Sequence, residues 1–263
     1  MDRLSTSLVA LFAGFSPGAA PTVERTGWQA AFAAQGVKGT FVLYRPALDR
    51  FDVLDAERAR TRYLPASTFK VANALIALDA GTLRDQHEAF RWDGKPKMRR
   101  AWERDHALDS GMRESVVWMF QEIARRTGKA RMKQGLDRLG YGNGDIGGGI
   151  DLFWLQGSLR ISAMEQADFL RRLREGRLAA SARSTRLVRN ALVVERTNRY
   201  TLYGKTGTTG ALREGIAWWV GWVEQDGAPT AYFAMNYTAA ARTPYAARFA
   251  IAREVLRGER LLP

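Results

Sequence analysis

Tyr63-Leu64-Pro65-Ala66-Ser67-Thr68-Phe69-Lys70 runs into Val71, Leu75 and Leu78, and the reading of this stretch decides the rest. Pro65-Ala66 ends an extended approach, and the apolar spacing predicts an amphipathic helix over 67–80. Ser67 then falls in the first helical turn, where Ser67 and Lys70, three residues apart, face the same side. A helix start offers free N–H groups and a positive field. That field favours an oxyanion near Ser67 and disfavours a protonated Lys70, so a neutral amine becomes accessible. A neutral lysine can activate a serine hydroxyl or react further itself. Taken alone, the four residues Ser67–Lys70 fit a capping serine and a surface lysine equally well.

Working outward, residues 40–45 and 51–55 read as two strands around a turn at Pro46. Three more are expected at about 200–205, 216–224 and 230–237, with Asp226-Gly227 turning the last pair. The pattern between these groups is helical. Val117, Phe120 and Ile123 mark a helix over 114–127, and Ser162-Ala-Met-Glu165 is a capping box opening a helix over 163–175. Thr243-Pro244 suits the cap and first position of a final helix ending near Arg257. Strands at both ends and helices between predict an α/β (α+β) architecture: an antiparallel sheet flanked by helices, with an inserted helical lobe. The lobes are expected at 21–60 plus 155–263 (sheet) and 61–154 (helical), within one domain spanning 21–263. A cleft between lobes suits a small ligand.

Composition removes several chemistries. The 263 residues include no cysteine, which excludes disulfides, thiolate metal sites and a cysteine nucleophile. Two histidines, His87 and His106, leave little for a Ser-His-Asp triad or a zinc site, and no metal or bound cofactor is expected. The net charge of +13 raises the possibility of nucleic acid as partner. Its clusters, Lys95–Arg100, Arg125-Arg126 and Arg171-Arg172, alternate with acids such as Glu122 and Glu165 and read as solvated helix faces. Residues 1–20 have the shape of a signal peptide, with an apolar run from Leu8 to Phe15 and small residues before a cut after Ala20. Export to the periplasm, with no membrane span after cleavage, is therefore expected.

Two further motifs carry chemistry. Lys205-Thr206-Gly207, expected at the end of a strand, pairs a cation and a hydroxyl for a carboxylate, and Gly207 lets a ligand approach the backbone. Ser115-Val116-Val117 opens the 114–127 helix, where Ser115 is either a cap or a functional hydroxyl. Ser-x-x-Lys, an intervening serine motif and Lys-Thr-Gly occur in this order in penicillin-recognising serine enzymes. Gly142-Asn-Gly-Asp-Ile-Gly147 fits a dinucleotide fingerprint by letter only, since a helical pattern precedes it and two further glycines follow.

With these motifs assembled, the chain resembles the class D (oxacillinase-type) serine β-lactamases over nearly all of its mature length. The resemblance is carried by Tyr63–Lys70, Ser115-Val-Val-Trp118, Tyr141-Gly-Asn143, Phe153-Trp154, Lys205-Thr-Gly207, Trp218-Trp-Val-Gly-Trp-Val-Glu224 and Arg248–Leu256. Ala217 departs from it, standing where the family usually has glycine. The resemblance implies the penicillin-recognising serine enzyme fold and hydrolysis of β-lactams, penicillins and oxacillin-like compounds included. It implies Ser67 as the acylated nucleophile and Lys70 as a general base carrying a carbamate made from CO2 or bicarbonate. Trp154 would hydrogen-bond that carbamate, with Phe69 and Val117 keeping the lysine apolar, and Ser115 would relay a proton. Lys205, Thr206, Gly207 and Arg248 would hold the substrate carboxylate, the N–H groups of Ser67 and Thr208 would form an oxyanion hole, and Trp102 and Leu155 would line the cleft. A monomer or homodimer is implied. The alternatives are a β-lactam sensor domain that is acylated without turnover, a cell-wall transpeptidase or carboxypeptidase, and, more distantly, a basic nucleic-acid-binding protein.

Overall fold

A computed structural model describes residues 20–210 and 214–263. The expected signal peptide, apart from Ala20, lies outside them, as do residues 211–213. In chain order the elements begin with β1 (Thr22–Glu24), α1 (Gln29–Ala33), β2 (Gly39–Arg45), β3 (Arg50–Leu54) and α2 (Ala56–Arg60). A helical stretch follows: α3 (Lys70–Asp79), α4 (Leu108–Arg113), α5 (Val117–Thr127), α6 (Lys129–Leu139), α7 (Ala163–Arg174) and α8 (Ala182–Ala191). The chain closes with β4 (Val193–Arg196), β5 (Thr201–Thr208), β6 (Gly215–Gln225), β7 (Ala228–Ala239) and α9 (Ala247–Gly258).

The seven strands form one sheet in the order β1-β3-β2-β7-β6-β5-β4. Every neighbouring pair is antiparallel except β1–β3, which is parallel. The early and late strand groups thus meet at the β2–β7 seam, where Phe41 faces Met235 and Leu43 faces Phe233. The β6–β7 hairpin turns on Asp226 and Gly227, whose φ values of 51° and 75° meet the need of a tight two-residue turn for positive φ.

The central strand β6 is buried on both faces, which explains its unbroken apolar run. Trp218, Val220 and Trp222 point into a core shared with α3 to α8, whereas Ala217, Trp219 and Val223 point into a second core under α1 and α9. This period-2 division puts the Ala217 methyl away from the Ser67 side of the sheet.

Three local expectations are revised. Residues Ala66–Phe69 form a 3-10 turn ahead of α3, so Ser67 precedes the α-helix rather than opening it. The helix that follows is not amphipathic: Lys70 to Leu78 are buried all round, because α3 runs through the middle of the helical layer. The final helix starts at Ala247, and Thr243-Pro244 instead shape the preceding turn, with Thr243 Oγ1 accepting the Ala240 N–H at 3.1 Å. The capping box at Ser162 and Glu165 has both of its reciprocal hydrogen bonds.

Candidate active site

The Ser67 turn is fixed by its flanks. The Ala66 N–H donates to Trp154 O at 3.0 Å, and Ala66 adopts φ +49°, a left-handed conformation unusual for a residue with a Cβ. Thr68 Oγ1 donates to Pro65 O at 2.7 Å and accepts from Gln166 Nε2 at 2.7 Å, tying the turn to α7. On its open side runs β5. A Cβ on Gly207 would lie 2.7 Å from Pro65 O and 3.3 Å from Ser67 N, so only glycine lets the strand approach so closely. Lys205-Thr206-Gly207 lies inside β5 rather than at its end. Thr209 N–H donates to Ile216 O at 3.0 Å. The alternation of an antiparallel ladder then leaves the Thr208 N–H facing away from β6, on the Ser67 side.

Lys70 Nζ lies 2.8 Å from Ser67 Oγ, 2.9 Å from Ser115 Oγ and 2.6 Å from Ser115 O. Lys205 Nζ lies 2.9 Å from the same Ser115 hydroxyl and 3.1 Å from Thr206 O. Ser115 thus joins the two lysines. It does so from the link between α4 and α5, at φ +55°, and does not cap α5, whose N-cap is Val116. Arg248 is buried and donates from Nη1 to Gly207 O at 2.8 Å and to Thr208 Oγ1 at 2.9 Å, with Nε on Tyr245 O. Its neighbours in sequence play other parts: Arg242 is exposed and Arg253 pairs with Glu195 at 2.6 Å.

Among the described residues, the partners of these three buried groups are all uncharged. Burial holds Lys70 well below the usual lysine value, and the positive charges of Lys205 and Arg99 lower it further. Burial, then Arg248 and Arg99, pushes Lys205 down to about 7. The surroundings of Lys70 are aromatic. The Phe120 ring centroid is 5.5 Å from its amine, and Phe69 packs against Trp154 at 5.3 Å, Phe153 at 5.0 Å and Tyr141 at 5.7 Å. Val117 is half-buried against this core. Trp154 is fully buried, and its indole N–H has no partner among the described residues. Leu155, half-buried, follows it, and Trp102 is fixed by an indole hydrogen bond of 2.9 Å to Glu114 O.

Sequence reasoning missed Arg99 and Tyr245. Arg99 sits in the Lys95–Arg100 cluster assigned to a solvated helix face, but the segment is irregular and ends in a 3-10 turn at Arg100–Trp102. Its guanidinium lies 5.9 Å from the Trp102 ring centroid and 5.5 Å from that of Tyr245, whose hydroxyl is 3.0 Å from Thr206 Oγ1. A large aromatic exposed near a lysine-hydroxyl motif is the nearest thing to a signal, and it was visible only once α9 was folded back. The other clusters are ion-paired helix faces, with one change of partner: Asp168, not Glu165, takes Arg171 and Arg172, while Glu165 pairs with Arg62. The glycine-rich 142–147 segment follows α6 and opens no helix, so it lacks a dinucleotide setting.

Comparison with known proteins agrees with this geometry. Residues 36–257 match the family described as Penicillin binding protein transpeptidase domain. The chain is 41% identical to Beta-lactamase OXA-48 of Klebsiella pneumoniae over 256 residues, 97% of this chain and 96% of that one. It is 44% identical to Beta-lactamase OXA-10 of Pseudomonas aeruginosa over 216 residues, 81% of each. The crystal structure of the class D β-lactamase YbXI from Nostoc superposes with a TM-score of 0.86 at 35% identity, covering 90% of this chain and all of that one. Nothing in these relatives supports the sensor alternative.

Proposed function

The chain belongs to the class D serine β-lactamases, enzymes that hydrolyse the β-lactam amide bond, and from that premise we propose how its own residues divide the work and which substrates they suit. Ser67 Oγ is the nucleophile. Its proton is drawn toward the Lys70 position 2.8 Å away, and Oγ bonds to the lactam carbonyl carbon. The oxyanion that develops is held by the N–H groups of Ser67 and Thr208, an arrangement typically worth about 3–4 kcal/mol of barrier. As the ring C–N bond breaks, Ser115 delivers a proton to the leaving nitrogen, its hydroxyl lying between Lys70 and Lys205. Lys205, Thr206 and Arg248, with Gly207 giving backbone access, hold the substrate carboxylate. Trp102 and Leu155 border the acyl side chain. Penicillins, oxacillin-like ones included, are the proposed substrates, and export to the periplasm would bring the enzyme to them.

The observation that carries this reading is Lys70: a fully buried amine beside Phe120, with uncharged partners among the described residues and its proton already disfavoured. A neutral amine adds CO2, and a carbamate there would supply an anionic general base for both acylation and release of the acyl group by water. Trp154, whose buried N–H has no acceptor among the described residues, would donate to such a group. Phe69 and Val117 keep water from stabilising the competing ammonium.

Purified protein is expected to turn over a chromogenic cephalosporin, faster with added bicarbonate and without inhibition by a chelator. Trp154→Phe is expected to need more bicarbonate for the same rate, with a turnover loss of about tenfold at ambient CO2. A single stoichiometric burst would exclude turnover. Rates independent of bicarbonate in both proteins would remove the modified lysine and leave the serine chemistry standing.

A further inference from the structure

Arg99, an exposed residue at the rim of the cleft, holds its guanidinium 5.9 Å from the Trp102 ring centroid and 5.5 Å from that of Tyr245. Acids close to it in sequence are engaged elsewhere: Glu103 accepts the Lys97 backbone N–H at 3.1 Å, Asp93 pairs with Lys97, Asp105 with Arg91 and Glu114 with Arg113. Its two platforms are fixed. Trp102 donates to Glu114 O at 2.9 Å and accepts the Trp118 indole N–H on its own carbonyl at 3.0 Å. Tyr245 is held at 3.0 Å from Thr206 Oγ1, with the Arg248 guanidinium 4.1 Å from its ring. Trp102, Arg99, Tyr245 and Arg248 are therefore linked by successive ring–guanidinium contacts, from the 3-10 turn at Arg100–Trp102 to the approach to α9.

A stacked guanidinium keeps its N–H fork free, and that fork matches a carboxylate with two parallel hydrogen bonds. The positive field of Arg99 already reaches Lys70, Lys205 and Arg248. We propose that Arg99, steadied between Trp102 and Tyr245, is a specificity residue that favours β-lactams whose acyl side chain carries a second carboxylate. The inference rests on the proposed function in one respect: Lys205, Thr206 and Arg248 take the ring carboxylate, which leaves Arg99 for the second. A neutral side chain gains only the general attraction of the cleft, and a cationic one is repelled.

The test compares benzylpenicillin with its α-carboxy derivative, which differ by one carboxylate near the acyl end. In Arg99→Gln, kcat/KM is expected to fall about tenfold for the dicarboxylate and about twofold for benzylpenicillin, chiefly through KM. Arg99→Lys restores part of the difference. Tyr245→Ala, which removes one platform, narrows it without touching the guanidinium. Raising the salt narrows the preference in the parent enzyme and has little effect on that of Arg99→Gln. An unchanged ratio in Arg99→Gln, or an equal loss for both compounds, overturns the proposal. Acylation rates read by mass spectrometry give the same ratio if turnover fails, so a failure of hydrolysis is told apart from a failure of this assignment.

Discussion

Buried charge is treated in opposite ways in two regions of this molecule. At the β1–β3–β2 edge, Asp52 is fully buried and surrounded by Arg25, Arg45 and Arg50 at 3.5, 2.7 and 3.1 Å, with Glu259, the C-cap of α9, also joining Arg25 and Arg45. At the cleft, Lys70, Lys205 and Arg248 are as deeply buried but meet uncharged hydroxyls, carbonyls and rings among the described residues. The first arrangement satisfies its charges within the fold. The second has no counter-charge among the described residues, which costs stability, depresses the lysines and suits the anionic substrate proposed for the site. The contrast teaches that buried charge marks function here only where its counter-charge is absent.

The sharpest way to break the comparison is Lys70→Ala. Hydrolysis of penicillins is expected to fall by about a thousandfold or more, while the melting temperature holds or rises, because an amine that resists protonation is removed. A steady-state assay beside a thermal melt reads both, and a large loss of stability would mean that Lys70 is structural. Asp52→Asn should do the reverse. It leaves three arginines facing a neutral amide and should cost about 2–3 kcal/mol in denaturant unfolding, discounted because those arginines are partly exposed, with kcat/KM per folded molecule unchanged. The smallest effect sharpens the cleft side. Lys205, pushed down to about 7, is a cation below that pH and neutral above it. For a carboxylate-bearing substrate, kcat/KM should therefore decline as the pH rises through about 7, and Lys205→Arg should move that decline to higher pH. A profile flat to pH 9 would place carboxylate binding on Arg248 alone.

Much of this was legible along the chain. The three-residue spacing of Ser67 and Lys70 brings both to one side even though the turn is 3-10 rather than α, since either geometry superposes such a pair. The apolar run Trp218–Val223 and the Asp226-Gly227 turn specified a hairpin because their requirements are local. Other features had no local signal. Ser115 resembles a helix cap in sequence, and its left-handed backbone follows from how α4 hands over to α5. Arg99 resembles any solvated arginine in a basic run, and only the return of the chain at Tyr245 gives it a second ring to stack on.

The sequence by itself determined two local strand pairs, 40–45 with 51–55 and 216–224 with 230–237, the capping box at Ser162 and the placing of Ser67 and Lys70 on one side, because propensity, alternation and short spacing act over a few residues. The tertiary structure alone decided what those groups are chemically. Lys70 becomes a disfavoured cation because α3 is buried all round and the charges of Lys205 and Arg99 converge on it from distant parts of the chain. A pKa depends on solvent exclusion and on charges nearby in space, and neither is written in the order of residues.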